Sequence, residues 1–380
     1  MVKGLYVHIP FCHQICHYCD FNKVFFKDQP VDGYIEMLGE ELRQWKQQGA
    51  LDVPLETVFF GGGTPTALEP AQLERLLFHI HDNTMLAENV EWTSEANPDE
   101  LTRDKMDVLF AGGVNRLSMG VQSFDEDLLK RLGRTHHNRD VDRAIHEAQA
   151  AGFSNISLDL MYGLPGQSMA QWKHTLNRAF AYDLPHFSAY SLIVEPKTVF
   201  YNLLMKGKLQ TPGEDLEADM YKVLMDEMAA HGLEQYEISN FAKSGYQSRH
   251  NLLYWNNEEY IGAGAGAHGY VNGVRYSNHG PLKKYMTPLG EGRQPVLNEN
   301  RVSRTESMEE EMFLGLRKNE GVSAERFEKK FGTPLADVYG DKLTLLQAQG
   351  SLEQRDGFIR LTDRGRFVGN NVFEQFLIGD

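Results

Sequence analysis

Residues 4–21 read GLYVHIPFCHQICHYCDF. The first six form a short apolar run of strand-forming residues, which Pro10 ends. The loop that follows carries Cys12-x3-Cys16-x2-Cys19, and no other cysteine occurs in the chain. Thiolates at these offsets on one irregular loop can converge on a compact inorganic core. A structural zinc site needs four ligands, and His13 or His17 could complete one. Three thiolates on a four-iron cluster instead leave one iron without a protein ligand, an open position of the kind catalysis uses. The spacing favours the cluster, with zinc as the plainer alternative.

Outward from this loop, short apolar runs alternate with amphipathic stretches as far as residue 195. Strands are expected at GLYVHI (4–9), TVFFGG (57–62), VEWTSE (90–95), NRLSMGV (115–121), NISLDLMY (155–162) and FSAYSLI (187–193). Helices are expected between them at 34–45, 71–81, 139–152 and 169–182, with Pro70 in a first helical turn and Gly152 as a C-cap. Strands separated by single helices imply right-handed crossovers and a parallel sheet. Six such units are too few for a closed eight-stranded barrel, so the fold class is α/β, an open TIM-like (β/α)6 barrel. The strand ends are polar or glycine-rich (GGGTP, SEANPD, GVQSF, DLMYGLPG), and in parallel folds such tips face a shared cleft.

The texture changes after 195. A helix at 213–231 leads to a segment rich in glycine, aromatics and asparagine at 250–278. From about 300, helices and an RDG turn between two β-like runs predict an α+β winged-helix-like unit. The expected division is 1–195, 196–295 and 296–380.

The 380 residues include 38 basic and 53 acidic side chains, a formal charge of −15. This disfavours nucleic acid as a partner, which rewards a basic footprint. No apolar run approaches a membrane span, and MVKGLYVHIP lacks an export h-region, so a cytoplasmic protein is expected. An odd, clustered cysteine count there argues for metal or redox chemistry over disulfides.

The cysteine motif after a first strand, followed by βα repeats, resembles the radical S-adenosylmethionine (radical SAM) superfamily. The resemblance implies a [4Fe–4S] cluster on Cys12, Cys16 and Cys19, with SAM chelating the open iron and an electron donor reducing the cluster. LYVHIPFC, GGGTP, EANP, MGVQSF, LGRTH and LDLMYGLPGQ resemble its oxygen-independent coproporphyrinogen III oxidase branch. By that likeness Tyr6 lies against the sulfonium, Gly62, Gly63 and Thr64 near the methionine moiety, and Glu95 on the ribose. Gln122, Arg134 and Asp159 match positions that hold a second SAM in the oxidase. Read blandly, Glu95 and Asp159 are capping or ion-pair residues and Arg134 a surface cation.

Two departures point to a sister group. The oxidase has a fourth cysteine where this chain has Phe21, and an N-terminal extension where this chain reaches Tyr6 in five residues. Both resemble the HemW-type heme chaperones, as does HNLLYW (250–255), similar to a segment associated with heme binding. On residue types alone, that segment is a core turn with His250 bonded to backbone. The resemblance makes His250 the expected heme ligand and His268, in GAGAHGY, the second choice. The implied function is binding heme as cargo and passing it to a recipient hemoprotein, such as a membrane-bound respiratory enzyme. The competing readings are coproporphyrinogen III dehydrogenation, another SAM-dependent tetrapyrrole reaction, and a zinc protein.

Overall fold

The computed structural model describes residues 1–378. Its centre is a 12-stranded sheet. The six expected strands are β1 (Gly4–Ile9), β2 (Pro54–Gly62), β3 (Met85–Ala96), β4 (Arg116–Gln122), β5 (Asn155–Tyr162) and β6 (His186–Ser191). They lie side by side in chain order, every neighbouring pair parallel. Near-continuous burial along β1, β4 and β5 is what a parallel sheet covered on both faces requires. The helices α1 (Val31–Gln47), α2 (Pro70–Asn83), α3 (Arg103–Ala111), α4 (Glu126–Leu132), α5 (Asn138–Ala151) and α6 (Met169–Phe180) form the crossovers. Pro70 opens α2, and Gly152 closes α5 in the left-handed region at φ 110°.

The later chain extends both ends of this sheet. At one end β7 (Glu234–Glu237) and β8 (Asn240–Ala242) follow α7 (Val199–Met205) and α8 (Glu214–Ala230), with β8 antiparallel to β6. At the other, α9 (Arg249–Trp255) precedes β9 (Tyr260–Ala263), which pairs in parallel with β1. The antiparallel strands β10 (His268–Val271), β11 (Val274–Asn278) and β12 (Val296–Arg301) complete that side. The sheet keeps two edges and does not close. Outermost β12 is blunted by Asn298, Glu299, Asn300 and Arg301, a polar edge that resists strand addition. One core cluster runs from Val2 to Leu289, so residues on both sides of 195 share one sheet and one core.

A separate core spans Met308 to Phe376. It lies among α11 (Arg304–Gly315), α12 (Ala324–Phe331) and α13 (Leu335–Ala348), reached after α10 (Leu282–Gly290), and the three-stranded sheet of β13 (Val322–Ser323), β14 (Leu352–Arg355) and β15 (Phe358–Leu361). Asp356 and Gly357, both at positive φ, form the tight turn between β14 and β15. Among the described residues no helix is long and apolar enough to cross a membrane.

Candidate cluster and cofactor site

The cysteine loop is clamped at its base. Phe11–Cys12 pairs with Val24–Phe25 in a short parallel ladder, and the Phe26 amide donates to the Cys12 carbonyl at 2.9 Å. Its midpoint is held from outside: the His17 amide donates to the Leu132 carbonyl (2.9 Å), and Phe200 N–H to the His17 carbonyl (3.0 Å). Cys12, Cys16 and Cys19 all line one cavity of about 130 Å³.

The donor set fits an iron–sulfur core better than zinc. His13 faces the Glu100 carboxylate at 3.2 Å, and His17 Nδ1 is bonded to the Arg131 carbonyl at 2.9 Å. Each histidine is turned by its Nδ1 contact toward a neighbouring carboxylate or carbonyl, and neither is among the residues that line the cysteine cavity. Among the described residues no three Cys, His, Asp or Glu side chains are placed to hold a single metal ion. Burial pushes the Cys12 thiol up to about 12, partly offset by the Thr64 hydroxyl at 3.7 Å from its sulfur. Burial also raises Cys19, with Lys23 pulling the other way. Cys12 and Cys19 would give up their protons to hold a cationic core.

The parallel strands deliver the remaining groups at their C-terminal ends. Gly62 sits at φ 112°, and a Cβ there would stand 2.5 Å from the His8 ring; one on Gly63 would stand 2.8 Å from the carbonyls of Ile9 and Phe11. Only bare backbone fits between β1 and the end of β2. The Gly62 amide donates to Glu95 Oε2 at 3.2 Å. Burial, then the Asp159 charge, pushes the Glu95 carboxyl up to about 8. Burial likewise raises Asp159 to about 6, against the Ser118 hydroxyl that donates to Oδ1 at 3.0 Å. Gln122 ends β4 at a register shift with φ 67°, an uncommon conformation for a residue with a side chain. Its Oε1 accepts from the Tyr190 hydroxyl at 3.2 Å. Arg134 reaches Cys16 Sγ (3.4 Å), Asn97 Oδ1 (2.8 Å) and the Gly120 carbonyl. A guanidinium beside the Cys16 sulfur, one proton-holding carboxyl (Glu95), one ionised carboxyl (Asp159) and open glycine backbone suit a zwitterion bearing hydroxyls.

A second, larger cavity of about 550 Å³ adjoins the first. Gly62, Glu95 and Phe21 line both. The strand tips therefore open onto two adjoining cavities that share this wall. Phe21, 62% exposed, stands on this shared wall. Tyr6 and His250 line the larger cavity, whereas the cysteines, Gly63, Thr64, Gln122, Arg134 and Asp159 line the smaller.

HNLLYW forms most of the short helix α9 rather than a turn, because Ser248 caps it and the Glu91 carboxylate accepts from the amides of Arg249 and His250. His250 is 1% exposed and bonds side chains instead of backbone. Its Nδ1 lies 2.8 Å from Thr57 Oγ1, its Nε2 2.8 Å from the Tyr254 hydroxyl, and its ring stacks on Phe59. Burial lowers it to about 3, so it is neutral. Trp255 faces elsewhere, beneath Arg317, whose guanidinium lies 4.4 Å from the ring centroid. His268 opens β10, is exposed, and also lines the larger cavity.

Among the residues around the smaller cavity that the sequence reading did not single out are Asn97, Ser118 and Tyr190. Asn97 follows Glu95 inside the quoted EANP and bridges Thr64 and Arg134. Ser118 and Tyr190 carried no local signal beyond their places on β4 and β6.

The chain matches the radical SAM superfamily over residues 6–179 and the HemN C-terminal domain over residues 302–368. It is 48% identical to the heme chaperone HemW of Bacillus subtilis (strain 168), covering 99% of each chain. It is 36% identical to the heme chaperone HemW of Escherichia coli (strain K12), covering 98% of each. Among solved structures, the coproporphyrinogen III oxidase HemN from Escherichia coli, a radical SAM enzyme, aligns with a TM-score of 0.87 at 25% identity, covering 99% of this chain and 90% of that one.

Proposed function

Since the chain belongs to the radical SAM superfamily and, within it, to the HemW heme chaperones, we propose that it binds heme beside a [4Fe–4S] cluster and SAM and passes the heme to a recipient hemoprotein. The observation that carries this reading is the pair of cavities meeting at Gly62, Glu95 and Phe21. One cavity collects the sulfur ligands; the other has the size of a cofactor pocket, within the ~300–1,000 Å³ usual for them, and a wall rich in aromatic rings.

Cys12, Cys16 and Cys19 would hold the cluster. When bound, the cluster supplies electrons and an open iron position for the methionine end of SAM. Arg134 neutralises charge beside Cys16, and Gly62, Gly63 and Thr64 give close backbone access. Glu95, at the shared wall, accepts from hydroxyls and, being raised, also holds a proton. Gln122 and Asp159 line the same cavity as the cysteines, at the positions that resemble the oxidase's second SAM site. Tyr6, bonded to His8, lines the larger cavity beside this shared wall. Phe21 presents an apolar face on the shared wall, at the position of the oxidase's fourth cysteine.

The recipient we propose is a membrane-bound respiratory hemoprotein, reached from the cytoplasm, with a separate protein reducing the cluster. A net charge of −15 makes contact with the recipient protein, not with anionic lipid, the favoured route.

The test is an anaerobic heme titration of cluster-reconstituted protein. Saturation near one heme per chain, with the heme spectrum intact after SAM and reductant, supports the reading. Failure to saturate, or SAM-dependent loss of the spectrum, overturns it. The fold shared with the oxidase supports one rival, coproporphyrinogen decarboxylation, and turnover of that substrate would establish it instead.

A further inference from the structure

Three imidazoles line the larger cavity: His8, His250 and His268. An iron ligand must present a nitrogen lone pair that nothing else is using. His8 spends both nitrogens, Nδ1 on the Tyr6 hydroxyl at 3.0 Å and Nε2 on the Asn22 carbonyl at 2.7 Å. His250 likewise spends both, on Thr57 and Tyr254. These two residues are 5% and 1% exposed, closed in by the partners that hold them. To ligate iron, His250 would have to break the bond to Tyr254 and turn away from Phe59.

His268 is built differently. It is exposed, faces the cavity, and among the described residues no hydrogen bond is formed by its ring. Its backbone, in contrast, is fixed. It pairs with Ser277 across β10 and β11, and a Cβ on Gly262 would meet its carbonyl at 1.8 Å, so β9 and β10 touch. The turn before it is pinned at successive positions. The Gly264 amide donates to Glu41 Oε2 at 2.8 Å, the Ala265 amide donates to the Tyr34 hydroxyl at 2.9 Å, and the Ala265 carbonyl accepts from Asn22 Nδ2 at 2.7 Å. A free imidazole on an immobile strand, facing an aromatic-walled cavity, is how a rigid scaffold presents a metal ligand.

Resting on the heme reading above, we infer that His268, and not His250, ligates the iron of the heme cargo. The bond is dative. One imidazole nitrogen gives its lone pair to iron in place of water, the other keeps its proton, and no electron changes hands. Phe59, Tyr254 and Tyr260 then pack against the macrocycle, while His250 fixes Tyr254.

The experiment titrates ferric hemin into the cluster-reconstituted full chain and follows visible absorption and low-temperature electron paramagnetic resonance. It compares wild type, His268→Ala, His268→Met and His250→Gln, with circular dichroism and iron content checking each fold. We expect His268→Ala to weaken heme by about tenfold or more, since loss of even a supporting partner of a metal ligand costs ~10–100-fold. It should lose the imidazole-ligand spectrum, and added imidazole should restore it. His268→Met should fold as wild type and shift the spectrum, whereas His250→Gln, which loosens Tyr254, should weaken heme but keep the imidazole-ligand spectrum. Unchanged spectra in both His268 variants overturn the assignment, as does loss of the imidazole-ligand spectrum in His250→Gln alone. Wild-type protein that does not saturate with hemin overturns the heme reading itself, a distinguishable result.

Discussion

Arg134 holds its Nη1 3.4 Å from the sulfur of Cys16 while its Nη2 donates to Asn97 Oδ1 at 2.8 Å. One side chain thus joins the cluster loop to the tip of β3. Replacing it with alanine leaves Asn97 and the Gly120 carbonyl without their donor and the sulfur without its counter-charge. Hydrogen bonds to charged groups are worth about 1.5–3 kcal/mol. Arg134→Ala should therefore weaken SAM binding by about 10–100-fold in equilibrium dialysis, and Arg134→Lys should recover little, since one ammonium cannot span three acceptors.

Gly62→Ala and Gly63→Ala test the backbone approach between β1 and β2. Alanine at 62 meets both a left-handed φ and the His8 ring; at 63 it meets two carbonyls. Each should cost about 1–3 kcal/mol in urea denaturation of the cluster-free protein. Gly290→Ala, with open space around its Cβ, should be near neutral and serves as the control.

The Glu95 carboxyl, raised from 4.5 to about 8, makes stability depend on pH in a defined direction. The folded state binds its proton more tightly than the unfolded state does. Its contribution is therefore complete below about pH 4.5 and is lost as pH rises through about 8. Glu95→Gln, which cannot ionise, should flatten the stability curve of ligand-free protein between these limits. It should gain about 1–4 kcal/mol over wild type at pH 8.5. An unchanged slope would show that Glu95 is not the group responsible.

Phe21→Ala should separate the two cavities functionally. The side chain is exposed and its loss should barely alter the melting temperature. Iron and sulfide per chain should stay at wild-type levels, because Cys12, Cys16 and Cys19 keep their supports. Heme affinity should fall by about five- to thirtyfold, the loss of ~1–2 kcal/mol for part of an aromatic contact.

What could be read from the sequence follows how local each feature is. NISLDLMY was placed to the residue because Ile156, Leu158 and Leu160 alternate with polar residues between turn-forming neighbours. The start of β3 was missed because residues 85–89 are mostly exposed and carry no apolar alternation. The partner of β1 on its second side is 256 residues away along the chain (Gly4 with Tyr260), beyond any periodicity. The cysteine loop and the glycines of β2 were legible because their chemistry needs those residue types at short spacing. The state of His250 was not, since its ring is held by Thr57 from another strand and by Tyr254 through the turn of α9. That α9 is helical at all depends partly on Glu91, far upstream.

The position of β9 against β1 also has a consequence for biogenesis. A ribosome releases Gly4–Ile9 early, but their second neighbour emerges only once Tyr260–Ala263 has been translated. Until then the first strand has one bare side, and the wall that carries Gly266, Ala267 and His268 is absent. The cysteines are thus synthesised long before the chamber next to them is enclosed. A nascent chain stalled near residue 200 should expose the loop to iron–sulfur assembly factors yet retain no hemin, whereas a released full-length chain should retain it.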